Sequence, residues 1–192
     1  MQTAKDQLLD AAERLVAERG AEVSLRDIAA AANQRNNSAV QYHFGSREGL
    51  HEAVIRRRQV GLERRRRELL DELAARGDGA GEWDDLTGLV GVLVRPMTEL
   101  LASGPTHYAR FLEQVRTHPV LATGAGLDES WPASQEVIRR LGRHRAHRGR
   151  AMATTMFSLL ADAERAGVAP DADELVAMLV GLLTAPVRAP RP

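Results

Sequence analysis

A chain of 192 residues that is 44% hydrophobic can bury a sizeable core, which excludes wholesale disorder. Its 26 basic and 26 acidic residues balance, and aromatics at 4% argue against a stacking platform for single-stranded nucleic acid. Cysteine is absent, which removes disulfides, thiolate nucleophiles and cysteine-ligated zinc.

Helical periodicity dominates the chain and no stretch alternates with period two, so the expected fold is all-α. Leu8, Leu9, Ala12, Leu15 and Val16 fall at helical spacing, with Gly20 placed to end the helix in a left-handed cap. Ser24 to Asp27 reads as a capping box opening a second helix, whose apolar stripe is Leu25, Ile28, Ala29 and Ala32. Asn33 to Asn37 holds no apolar residue and reads as a turn before a third helix, where Val40 and Phe44 mark the core side. Gly45-Ser46 breaks the chain, and Ser46 caps a long fourth helix from about Arg47 to Ala75. Glycines between Gly77 and Gly81 form the clearest linker. Beyond it, helices are predicted at Asp84–Leu101 (kinked at Pro96), Thr106–Thr117, Pro132–Leu141, Arg143–Ala166 and Ala172–Ala185. The stretch from His118 to Ser130 is loop-like, and the end from Pro186 is expected to fray.

Three short helices within the first 45 residues, the second and third joined by a tight polar turn, form the helix-turn-helix arrangement. Burial of Leu8, Leu15, Leu25 and Ile28 would hold the third helix rigid, leaving Asn37, Ser38, Gln41 and Tyr42 on its outer side. Asn and Gln bond bidentately to adenine in the major groove. Helix N-termini at Ser24, with Arg26 beside it, and at Ser46 present free amides to phosphates. From Asn33 to Arg67, nine arginines stand against three acids, and the stretch from Arg76 onward is net acidic. Such asymmetry suits a polyanion-facing head on a neutral or acidic body, or a solvated arginine-rich helix face. The runs Arg56–Arg58 and Arg64–Arg67 point all around the fourth helix and are expected to be solvated or paired with Glu63, Glu68, Asp71 and Glu72.

Leu25-Arg26-Asp27-Ile28-Ala29, followed by Val40-Gln41-Tyr42-His43-Phe44-Gly45-Ser46-Arg47-Glu48-Gly49-Leu50, resembles the head of the tetracycline-repressor (TetR) family across residues 6 to 55. The resemblance implies that Tyr42 contacts a phosphate and stacks against the DNA edge, and that His43 supports the turn or touches backbone. It further implies that Arg47, where the family usually has Lys, clamps a phosphate from the start of the fourth helix. Asn33 stands where the family's turn usually has Gly, a mild change because Asn tolerates a left-handed backbone. The turn is also one residue longer than usual, so Arg35, Asn36, Asn37 and Ser38 all stay candidates for base edges. Asn36 is equally readable as an N-cap.

The implied architecture is a helix-turn-helix domain at 1–46 and a helical regulatory and dimerisation domain at 47–192. In the family the last two helices pair with their twins. Here the stripes are Met152, Met156, Leu159 and Leu160, then Leu175, Met178, Leu179 and Leu182, with intramolecular core as the competing role. A ligand pocket would draw on Met97, Leu101, Tyr108, Phe111, Leu112, Val115 and Trp131, each of which also fits an ordinary core. The expected function is a cytoplasmic, homodimeric regulator of transcription on double-stranded DNA. It would act as a repressor on a palindromic operator and respond to an unknown small-molecule effector. A helical ligand-binding or protein-interaction dimer without operator binding is the alternative. The chain start has no apolar signal core and no apolar run approaches a membrane span. No metal, no cofactor and no enzymatic activity is expected. His144 and His147 lack a metalloprotease spacing and sit among arginines, and neither a phosphate loop nor a serine elbow is present.

Overall fold

The computed structural model describes residues 3–34, 38–76, 82–118, 121, 131–142 and 146–186, and all regular structure among them is helical. The helices are α1 (Ala4–Arg19), α2 (Leu25–Ala31), α3 (Ser38–Phe44), α4 (Arg47–Ala75) and α5 (Glu82–Ala102). They continue with α6 (Tyr108–Gln114), α7 (Pro132–Leu141), α8 (Ala146–Ala166) and α9 (Ala172–Thr184). The predicted linker at Gly77–Gly81, most of the predicted loop after His118, and the end beyond Pro186 lie outside the described residues.

Local chemistry starts most of these helices. Thr3 opens α1 with a full reciprocal box: its hydroxyl accepts from the Asp6 amide at 3.1 Å, and its own amide donates to Asp6 Oδ2 at 3.2 Å. At Ser24 only the forward half of the expected box forms, with Ser24 Oγ accepting from the Asp27 amide at 3.1 Å. Ser46 Oγ accepts from the Gly49 amide at 3.0 Å and begins α4 at the predicted residue. Gly20 ends α1 with φ 95° and ψ 168°, so it leaves the helix extended rather than in the expected left-handed cap. The helix α5 runs through Pro96 as one element, and α6 is shorter than its apolar spacing suggests.

In two helices of the body the N-cap side chain makes no bond, and a carboxylate from another helix serves each. Glu164 of α8 accepts from the amides of Ala109 at 3.1 Å and Arg110 at 3.0 Å, closing the first turn of α6. Glu63 of α4 accepts from the amides of Ala133 at 3.0 Å and Ser134 at 3.2 Å, and from the Ser134 hydroxyl, closing the first turn of α7. Negative charge at a helix N-terminus is favourable because the free amides and the helix dipole both point there.

The arginine runs of α4 make some of the expected pairs, with Glu63, Glu68 and Glu72, and also tie helices together. Arg58 grips the buried Glu13 of α1 through two bonds, at 2.6 and 2.8 Å, and Arg57 reaches Asp10 at 2.7 Å. Arg65 spans to Glu99 of α5 at 3.0 Å as well as to Glu68 and Glu72. Arg66 is buried against Gln59 at 2.5 Å, Ser134 at 3.1 Å and Glu63 at 3.2 Å. Most of the local positive excess is therefore neutralised within the fold and is not a footprint for a polyanion.

One apolar core continues from the head, through Leu8, Leu15, Ile28, Val40 and Leu50, into the body at Met97, Phe111 and Leu160. The helix α1 packs on α2, α4 and α6; α6 lies against α8, and α9 against α5 and α8. A smaller cluster of Leu69, Leu70, Leu89, Val92, Ala133 and Val137 seats α7 on α4 and α5. No described helix is long and apolar enough to cross a membrane.

Candidate nucleic-acid interface

The turn between α2 and α3 is built by backbone geometry. The Gln34 amide donates to the Ala29 carbonyl at 2.9 Å and the Asn33 amide to the Ala30 carbonyl at 3.0 Å, the paired bonds of a Schellman motif. That motif needs a left-handed residue, and Asn33 supplies it with φ 56°. Sequence reasoning anticipates Asn33 but passes over Gln34. The side-chain amide of Gln34 bonds to Gln7 Oε1 at 3.3 Å and to the Ala32 carbonyl at 3.2 Å, tying the turn to α1.

Helix α3 is seven residues long, so its rigidity comes from what it packs on. Val40 is fully buried and Phe44 half-buried, with α3 packed against α2 and α4. The helical period then places Gln41, Tyr42 and His43 outside, and all three are exposed. Tyr42 is 86% exposed, the most open of the large hydrophobic side chains among the described residues, and its ring meets the edge of His43 at 5.0 Å. A large ring held in water at the tip of a packed helix costs apolar hydration, which is consistent with a partner that covers it.

Helix α4 begins within three residues of Phe44, and its start is crowded. Gly45 takes φ 73°, and a Cβ on Gly49 would come within 2.2 Å of the Phe44 carbonyl oxygen, so both glycines are required by backbone geometry. Ser24 and Ser46, the N-caps of α2 and α4, are both exposed, as is Arg26. Glu48 is held below the ordinary carboxylate range by its own backbone amide and by Ser46, so it is an anion near this surface.

Arg47, expected to clamp a phosphate, is engaged within the chain. Its Nη1 donates to Glu22 Oε2 at 2.6 Å and to the Ala21 carbonyl at 3.3 Å, so the α1–α2 connection already holds the guanidinium. Behind it, His51 is only 5% exposed, with its ring edge-on to Phe111 at 5.8 Å and Nε2 without a partner. Burial, then His118 and Arg47, push its pKa down from 6.5 to about 4, so it is neutral at pH 7. His51 carries no signal in the sequence, because nothing local separates a buried helical histidine from an exposed one. Of the predicted DNA-facing set, Ser24, Arg26, Gln41, Tyr42 and His43 are exposed, and Arg47 is engaged as described. Ser38 opens α3. Arg35, Asn36 and Asn37 lie outside the described residues.

The other predicted groups fall in the body. Met97, Tyr108, Phe111, Leu112, Val115 and Trp131 are buried in the continuous core, and Leu101 packs at its margin. Tyr108 is fully buried, with the Arg58 guanidinium 5.8 Å over its ring and Gln59 beside its hydroxyl. Met152, Met156, Leu160, Leu175 and Leu179 are core residues of the single chain, whereas Leu159 and Leu182 are half-buried and Met178 is 51% exposed. Among the described residues no cluster of three or more His, Asp or Glu is arranged to hold a metal.

Three short helices, the second and third joined by a tight turn and the third carrying the exposed Tyr42, form a helix-turn-helix head. The family model described as bacterial regulatory proteins, tetR family, matches residues 8–54. The match covers the head alone, and it supports a tetR-family regulator. No curated protein matches the chain at a significant level.

Proposed function

We propose that this regulator acts as a homodimer on a palindromic operator and represses transcription until a small apolar or amphipathic molecule binds its body. The observation that carries operator reading is the exposed Gln41-Tyr42-His43 face of α3, opposite a Val40 buried to zero exposure. Gln41 would read bases, Tyr42 and Arg47 would contact phosphate, and the N-cap turns at Ser24 and Ser46 would offer amides to the backbone. The division of labour falls at residues 1–46 and 47–192.

Dimerisation is supported by Met178, Leu159 and Leu182, which leave apolar surface open on the last two helices. Two recognition helices one DNA turn apart, ~34 Å, would read a palindrome. An effector is supported by the apolar Phe111, Leu112, Val115 and Trp131, which share the body core with Tyr108. Such a ligand represses or releases only through different affinity for the two spacings of the heads.

The test is selection of duplexes from a random DNA pool at two salt concentrations, followed by titration of Tyr42→Ala and Arg47→Ala. A palindromic consensus with salt-sensitive affinity, weakened at least tenfold in each folded variant, is expected. A folded protein that enriches no duplex would instead favour a ligand-binding or protein-interaction dimer.

A further inference from the structure

We infer that Glu22 attenuates DNA binding by competing with phosphate for Arg47. The inference rests on the assignment of Arg47 to a phosphate contact, and it adds a residue that neither the family match nor the helix-turn-helix pattern singles out. Glu22 lies in the α1–α2 connection, two residues before the Ser24 cap. Its side chain is 94% exposed, so it packs no core, yet its carboxylate meets Arg47 Nη1 at 2.6 Å. The Arg47 side chain is itself only 26% exposed, held at its inner edge by the Ala21 carbonyl at 3.3 Å.

A carboxylate and a phosphate bind a guanidinium in the same way, through N–H donors and opposite charge. While Glu22 occupies Arg47, an arriving phosphate must either displace it or sit beside a like charge. Both routes subtract from the attraction. The effect is magnified because three further arginines of α4 are already committed: Arg57 and Arg58 to Asp10 and Glu13, and Arg56 to Glu52. An exposed ion pair adds little to folding, so the carboxylate can be neutralised without loss of structure.

The test uses the full-length chain and a labelled duplex of arbitrary sequence at low salt, because phosphate contacts are independent of sequence. Affinity is measured for the parent, Glu22→Gln, Arg47→Gln and the double variant, with thermal melts recorded alongside. Glu22→Gln is expected to bind several-fold more tightly at an unchanged melting temperature, and the gain should vanish in the Arg47→Gln background. An unchanged or weaker affinity for Glu22→Gln would overturn the inference, since the carboxylate would then be idle or would orient Arg47 productively. A gain that persists in the double variant would also overturn it, by showing that Glu22 repels phosphate without acting through Arg47. Failure of the parent to bind any duplex would refute the regulator reading itself, a result distinct from either.

Discussion

His51 shows how one buried side chain can make the head–body joint sensitive to acid. It sits one turn into α4, beneath Arg47 and Glu48, with Phe111 and His118 of the body against its ring. The charged and titratable groups acting on it are His118, Arg47, Glu48 and Glu22, and burial outweighs them all in holding it neutral. Because the folded pKa of about 4 lies below the ordinary 6.5, the unfolded chain takes up a proton first as pH falls. Stability is therefore intact above 6.5 and is lost progressively toward 4. Between pH 7 and pH 5 the contribution of this group alone falls by about 2 kcal/mol. Urea denaturation of the parent and of His51→Leu at both pH values checks this. The variant should lose less stability on acidification by that amount, and an identical loss in both proteins would show that His51 is not the acid-labile group.

At the scale of elements, the starts of α1, α2 and α4 depend on residues three apart in sequence, which is why linear spacing alone marks Ser24 and Ser46 as caps. The start of α7 is different. Its N-cap is Trp131, which makes no capping hydrogen bond, and the carboxylate that closes it, Glu63, is about seventy residues away in sequence. Linear spacing carries no signal for such a pairing, and the same holds for Glu164 over α6. The arginine runs are half legible for a related reason. Their partners within α4, Glu63, Glu68 and Glu72, stand in the linear spacing, whereas the acids of other helices do not, as with Glu13 beside Arg58 and Glu99 beside Arg65. The buried Glu63–Arg66 pair gives this a measurable consequence. Removing the carboxylate leaves Arg66 buried without its anion and opens the first turn of α7. Glu63→Ala should therefore cost about 3–5 kcal/mol, read by urea denaturation. A loss below that of an ordinary surface pair would mean that water or a shifted side chain replaces the carboxylate.

For the whole molecule, the pattern of residues 6 to 55 makes the head legible because its chemistry is local: a cap, a left-handed Asn33 and an alternation of buried and exposed residues on a seven-residue helix. The body is legible only as helices, since apolar stripes on α8 and α9 do not say which neighbour covers them. Within one chain, α5 and α8 lie against α9 and bury Leu175 and Leu179, so these residues cannot be the main dimer contact. Met178 lies on the uncovered side of α9, one helical turn from the half-buried Leu182.

That position separates folding from pairing. A charge placed at an exposed site perturbs the single chain little, whereas two copies brought together across a twofold axis would each bury it unpaired. Met178→Glu should thus keep the helical signal and melt cooperatively, yet sediment as a monomer at concentrations where the proposed dimer of the parent forms. DNA affinity should fall with it, by roughly 100-fold or more, because each head would then bind alone without the effective concentration its twin supplies. A variant that stays dimeric would move the interface off this face of α9. A monomeric variant with undiminished affinity would instead show that one head suffices, and the case for a palindromic operator would fail with it.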